Sequence, residues 1–100
     1  MQMVYRRGEL SKGAIDHGWP HQVGVLSSVC AVQANAMQEF CKDLSLCVRG
    51  HCYRRDDQDW QVRCFAEREH AERFARRFGG EYLTPETRPP WIERTLRSKR

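Results

Sequence analysis

Long apolar runs are missing from this sequence. No segment approaches the roughly 18 consecutive apolar residues that a membrane-spanning helix needs, so we expect no bilayer-spanning segment. Residues 1–7 carry positive charge but are not followed by the apolar stretch of a secretory signal. The absence of both features predicts a protein of the cytoplasm.

An even set of cysteines is also missing. The chain has five cysteines, and an odd number without an export signal argues against a framework of structural disulfides. Thiols stay reduced in the cytosol, where a free cysteine behaves as a small apolar side chain. We therefore expect most of these cysteines to be buried free thiols.

Motifs of known chemistry are absent as well. There is no nucleophile elbow, no glycine-rich phosphate loop and no nucleotide-binding fingerprint, so we assign no catalytic residue and no cofactor. Cys47, His51 and Cys52 form the densest group of metal-ligand types. A strand through them would turn Cys47 and Cys52 to opposite faces, so no metal is predicted. A small Cys/His enzyme or metal protein is kept as a third alternative.

The composition indicates one globular domain. The chain has 100 residues, of which 40% are hydrophobic and 30% are charged. This length suits a single domain with one modest core. The net charge of +4 permits attraction to nucleic acid or to an acidic protein but selects neither.

Hydrophobic periodicity divides the chain into an arm (1–20), a core (21–84) and a tail (85–100). Strands are predicted at 21–27, 47–55, 60–66 and 81–84, with the Asp56–Asp59 cluster as the turn of a hairpin. A first helix is predicted to start at Asn35, with an apolar face formed by Met37, Phe40, Cys41 and Leu44. A second has an apolar face formed by Ala71, Phe74, Ala75 and Phe78, and Gly79 ends it.

This order of strand, helix, strand, strand, helix, strand resembles the ferredoxin-like split βαβ arrangement. The resemblance covers residues 21–84 and implies an α+β fold. A four-stranded antiparallel sheet would carry two helices on one face, with the arm and the tail added to this core. Because this fold hosts many unrelated activities, the resemblance does not imply a function.

The hairpin register decides which side chains share a face of the sheet. An odd-length turn centred near Gln58 would place an apolar set under the helices: Val48, Cys52, Trp60, Val62 and Cys64. The opposite, open face would then carry Arg49, His51, Tyr53, Arg55, Gln61, Arg63 and Phe65. An even-length turn would mix the two sets. We prefer the odd turn because buried, unpaired arginines are costly.

The predicted basic and aromatic face leads to two functional hypotheses. The first is an adaptor module that binds a protein partner or a second copy of itself through this face and the flanks, since arginine and tyrosine are enriched at protein interfaces. The alternative is binding of single-stranded nucleic acid. The RNA-recognition-motif family shares the topology, but its third-strand signature is absent here. The flank residues expected to dock on the sheet or on a second copy are Trp19, Trp91, Ile92 and Leu96.

Overall fold

The computed structural model describes residues 11–90, which form three helices and one four-stranded sheet. In chain order the elements are α1 (Lys12–Gly18), β1 (His21–Leu26), α2 (Ser27–Phe40), β2 (His51–Arg55), β3 (Gln58–Phe65), α3 (Arg68–Phe78) and β4 (Glu81–Leu83). The strand order is β2-β3-β1-β4, and all neighbouring strands are antiparallel. The predicted ferredoxin-like α+β fold is therefore confirmed.

One face of the sheet packs against α2 and α3, and we call it the helix face. Val23, Val25 and Phe65 project from the central strands into this core and are almost completely buried. The helices contribute Cys30, Met37, Ala71, Phe74 and Phe78. The side chains on one side of the strands and those on the apolar faces of the two helices therefore pack together in one apolar layer.

Helix α3 follows its predicted pattern closely. Ala71, Phe74 and Phe78 are its buried residues, and Arg76 lies near its C-terminus, where the helix dipole favours a positive charge. Gly79 adopts a left-handed backbone with φ of 75° and ends the helix. Among residues 11–90, no helix is both long enough and apolar enough to cross a lipid bilayer.

Helix α2 is longer than the sequence predicted. It begins at Ser27, directly after β1, rather than at Asn35, and its backbone bends at Gln33. The predicted start is wrong because apolar side chains also occupy the solvent side of the first half of the helix. Val32, for example, is 82% exposed. Such a pattern has no single apolar face, so periodicity does not reveal a helix there.

The turn between β2 and β3 consists of Asp56 and Asp57. Both have a left-handed backbone, with φ of 57° and 62°, and Arg55 pairs with Gln58 across them. Two successive left-handed residues are typical of a tight type I′ hairpin turn, which aspartate tolerates. The predicted odd-length turn is therefore wrong, because this tight turn has an even number of residues.

The even turn mixes the two predicted faces. His51, Tyr53 and Arg55 share a face with Trp60 and Val62, opposite the helices. We call this side the second face. Burial of unpaired arginine is nevertheless avoided, since the Arg55 side chain is 39% exposed and forms an ion pair with Glu81 of β4, with 2.7 Å between Nη2 and Oε1.

The remaining hairpin residues lie on the helix face. Cys52 pairs with Gln61, and Arg63 pairs with Val23, whose side chain lies in the helix-side core. Phe65 is completely buried there, rather than exposed as predicted.

A bulge interrupts the pairing before β2. Leu46 pairs with Phe65, and the Cys47 amide donates to the Cys64 carbonyl, but regular pairing resumes only at His51. Residues 48–50 therefore lie opposite Arg63 alone. Gly50 passes so close to β3 that a Cβ atom would overlap the Val62 carbonyl oxygen. Val48, predicted under the helices, is 92% exposed in this bulge.

The second face has its own apolar core, which α1 and Trp19 cover. Ile15 of α1 is fully buried and packs in one cluster with Tyr53, Val62 and Leu83, while Trp19 packs at its edge. This placement agrees with the expectation that one flank covers part of the sheet. Trp91, Ile92 and Leu96 lie outside the described residues.

Replacing Gly50 by alanine should lower the free energy of unfolding by about 1–3 kcal/mol, because the new methyl group must displace either β3 or the bulge. Urea denaturation measures this effect. Gly13→Ala is the matched control: a Cβ atom there meets nothing within 4 Å, and alanine favours the helix. Equal stabilities of Gly50→Ala and the parent protein would contradict the close approach to Val62.

Candidate interaction surface

The residues predicted to form one open face are separated by the sheet. His51 and Tyr53 are each 1% exposed on the second face, and Phe65 is fully buried on the helix face. Arg49 lies in the bulge, Arg55 on the second face and Arg63 on the helix face. The three rings that were expected to stack on a ligand are therefore inside the two cores.

A polar cluster closes the centre of the second face. Arg88 binds Asp16 through both guanidinium nitrogens, with 2.9 Å between Nη2 and Oδ2, and Nη1 also donates to Gln22 Oε1. Gln22 Oε1 lies 3.1 Å from His51 Nε2, and Gln22 Nε2 lies 3.3 Å from Asp16 Oδ1. These four residues come from the arm, β1, β2 and the start of the tail, so they tie both flanks to the sheet.

The cluster shifts the protonation of its members. Burial, assisted by the charge of Arg88, lowers the pKa of His51 to about 3, so the ring is neutral near pH 7. Burial alone would raise the pKa of Asp16, but the hydrogen bonds from Arg88 and Gln22 outweigh it and hold the pKa below its ordinary value. The cluster therefore contains one ion pair and a neutral imidazole.

An aromatic stack occupies the hairpin end of the second face. The Tyr53 and Trp60 rings are stacked at 5.7 Å, and the Arg55 guanidinium lies 4.7 Å from the Trp60 ring centroid. The Tyr53 hydroxyl fits over Gly24 and donates to Glu81 at 3.4 Å. Burial raises the pKa of Tyr53 to about 12. Glu81 therefore binds both the Tyr53 hydroxyl and Arg55, whereas the buried Trp60 Nε1 has no hydrogen-bond partner among residues 11–90.

A cleft of about 420 Å³ opens on the other side of the hairpin, beside the bulge. Its lining mixes apolar and polar groups: Leu46, Cys47, Val48, Gly50, His51, Cys52, Gln61, Val62 and Arg63. The bulge causes this opening, because residues 48–50 leave the line of the strand opposite Arg63. Bulges are frequent beside functional sites and at sheet edges.

Arg63 is the charged group of the cleft. Its Nη1 atom lies 3.4 Å from both Cys30 Sγ and Gln61 Oε1. Within residues 11–90, none of its guanidinium nitrogens lies within 4 Å of a carboxylate. Burial raises the pKa of Cys30 despite the neighbouring Arg63, so this cysteine remains a thiol near pH 7. The half-buried guanidinium can therefore bind an anionic group of another molecule.

The three residues considered for a metal do not meet. Cys47 packs in the core of the second face, and Cys52 lies on the helix face. Among the residues that the structure describes, no group of three or more histidine, cysteine or acidic side chains is arranged to hold a metal ion.

Strand β2 forms one edge of the sheet, since no other strand of residues 11–90 lies beyond it. Helices α2 and α3 pack against β1, β3 and β4. A two-residue turn makes Arg55–Gln58 a hydrogen-bonded pair, and such pairs alternate along the hairpin. The main-chain groups of Cys52 and Arg54 therefore point away from β3, in the direction from which an additional strand could form hydrogen bonds with them.

Comparison with protein-family models, with curated proteins and with solved structures finds no match. A function for this chain therefore has to be inferred from its own geometry.

The sequence did not indicate the cluster of Asp16, Gln22 and Arg88. Asp16 and Arg88 are 72 positions apart, and both lie in segments without regular periodicity. Only the covering of the second face brings them together. The bulge had one local signal, since Gly50 interrupts an otherwise strand-like run, and an isolated glycine in such a run is typical of a bulge.

Protonation of His51 should destabilise the protein in acid. The folded-state pKa of about 3 lies below the ordinary value of 6.5. Between these values the unfolded chain therefore binds a proton that the folded protein excludes. The free energy of unfolding should fall as the pH decreases from about 6.5 to 3, with a contribution of at most about 1.4 kcal/mol per pH unit. Urea denaturation at a series of pH values measures the slope.

Replacing His51 by glutamine should flatten this slope between pH 6 and pH 4, even if it lowers the stability at pH 7. His17→Gln makes the same substitution at an exposed position of α1 and serves as the control. An unchanged slope in His51→Gln would show that His51 does not cause the pH dependence.

Proposed function

We propose that this protein is an interaction module that binds an extended polypeptide segment along the edge of its sheet. The observation that carries the proposal is the edge strand β2, whose outward main-chain groups lie beside the cleft at Arg63. Addition of a strand at an exposed edge is a common mode of peptide recognition, in which main-chain hydrogen bonds supply affinity and pockets select side chains.

The edge has the parts that this mode requires. The outward groups of Cys52 and Arg54 supply two donors and two acceptors to an added strand. Side chains of that strand on the helix side would lie over the cleft, next to Val48 and Arg63. An apolar side chain can cover Val48, and an acidic side chain can reach the guanidinium of Arg63. The expected ligand is therefore an extended segment with apolar and acidic residues.

The alternative function, binding of single-stranded nucleic acid, depended on an open face of arginines and aromatic rings. His51, Tyr53 and Phe65 are buried, and Arg55 is engaged by Glu81. Base stacking needs accessible rings, so the arrangement of these residues favours the peptide-binding proposal.

Peptides selected from a random 12-residue display library on the full chain should bind at β2. In hydrogen-exchange experiments with the synthetic peptides, the Cys52 and Arg54 amides should exchange more slowly when the peptide is bound. These amides point outward in the free chain, so their protection reports an added strand. Slower exchange elsewhere with no change at these two positions would reject the proposal, and so would the absence of any selected peptide if the chain is a monomer.

A pair of substitutions at Arg54 separates the main chain from the side chain. Arg54→Pro removes an outward N–H without removing a bond to β3, and proline is tolerated at such edge positions. It should weaken peptide binding roughly tenfold. Arg54→Ala removes the same side chain but keeps the N–H, and should retain most of the binding. Equal losses in both variants would contradict binding through the main chain.

A further inference from the structure

We infer that the segment which β2 binds is β2 of a second copy, so that two chains pair edge to edge in a two-fold dimer with one continuous eight-stranded sheet. This inference rests on the proposed function, because it uses the same edge and names its occupant. Three features of the edge carry the argument: its charge pattern, the direction of its outward groups and the space above it.

The charges along this edge are self-complementary. The cleft end carries Arg63, which has no carboxylate partner among residues 11–90. The turn end carries Asp56 and Asp57, both exposed, and no cationic side chain of residues 11–90 lies within 4 Å of either carboxylate. Antiparallel pairing of two β2 strands places the turn of one copy beside the cleft of the other. Each acidic end then meets a basic end.

The outward main-chain groups restrict the register. Cys52 and Arg54 must form hydrogen-bonded pairs with the second copy, which allows the two-fold axis to lie at residue 52, 53 or 54. An axis at Arg54 places two arginines opposite each other. An axis at Cys52 places Arg54 of one copy opposite Gly50 of the other copy, in line with Arg63 on β3. Both arrangements juxtapose like charges, which is destabilising.

An axis at Tyr53 avoids both repulsions. Cys52 then pairs with Arg54 of the other copy in two equivalent places, which makes four main-chain hydrogen bonds. The turn of one copy, which begins at Asp56, then lies beside Gly50 of the other copy and in line with Arg63. The Cα atoms of Asp56 and Arg63 are separated by about two strand spacings, roughly 10 Å. An arginine and an aspartate side chain together span this distance.

The two copies have room on the helix face. A two-fold axis perpendicular to the sheet places the helices of both chains on the same side. Helix α2 packs against β1 and β3, so the paired β2 strands separate the two α2 helices. The clefts of the two copies then face each other across the axis. The exposed side chain of Val48 lies on this boundary, where the turn of the other copy can cover it.

Sedimentation equilibrium of the full 100-residue chain, over about 1–500 µM, tests the association directly. We expect a monomer–dimer equilibrium. Asp56→Asn with Asp57→Asn removes both charges and keeps a residue type that tolerates the left-handed backbone. This double variant should raise the dimer dissociation constant roughly tenfold, since two ion pairs are lost per dimer. Glu86→Gln removes an exposed charge after β4, on the other edge of the sheet, and should leave the constant unchanged.

Disulfide cross-linking tests the register. In the variant Arg54→Cys, the new thiol should lie opposite Cys52 of the other copy, at a spacing that a disulfide can bridge. Mild oxidation should produce a covalent dimer, and peptide mapping should locate its link between positions 52 and 54. Asp43→Cys, exposed beyond α2, should give little covalent dimer at the same concentration.

The outcomes separate this inference from the proposed function. A monomer throughout the concentration range overturns the dimer, as does a dimer that shows neither the cross-link nor the effect of the charge variant. If the chain is monomeric and selected peptides still protect the Cys52 and Arg54 amides, the dimer is rejected and the peptide-binding function stands. If neither a peptide nor a second copy protects these amides, both proposals fail.

Discussion

The left-handed backbone at Asp56 and Asp57 determines the arrangement of the whole sheet. It closes the β2–β3 hairpin with a two-residue turn, and this length decides which residues lie opposite each other. Because successive side chains of a strand point to opposite faces, one residue of difference in the turn would exchange the faces of a whole strand. The placement of Tyr53 and His51 on the second face, and of Arg63 on the helix face, follows from this turn.

With this register, the apolar side chains of the second face must be buried by another part of the chain. Tyr53, Val62 and Leu83 form an apolar surface there, and Ile15 of the arm completes its burial. The bidentate contact of Arg88 with Asp16 then joins the two flanks. A buried arginine is acceptable in this place because a carboxylate and an amide oxygen satisfy it. Residues 11–20 of the arm are therefore part of the folded domain.

Because the second face is covered, the candidate binding site is the edge of the sheet rather than its surface. In a four-stranded sheet with helices on one side, the opposite face is the usual candidate for a binding platform. Here that face is occupied by the chain itself. Strand β2 keeps its outward hydrogen-bonding groups, and the bulge at 48–50 opens a cleft next to them. No strand of residues 11–90 covers this edge, and we propose that these outward groups beside the cleft serve for binding.

The sequence by itself determined the order of the elements and the buried residues of α3. The repeat of Ala71, Phe74 and Phe78 and the glycine that follows them define α3 through local rules of periodicity and capping. Tertiary structure decided the hairpin register, the first half of α2 and the cluster of Asp16 with Arg88. These features depend on a turn conformation that several residue types tolerate and on contacts between distant segments. Local sequence patterns carry little information about either. The edge of the sheet is the candidate site because tertiary contacts cover the second face.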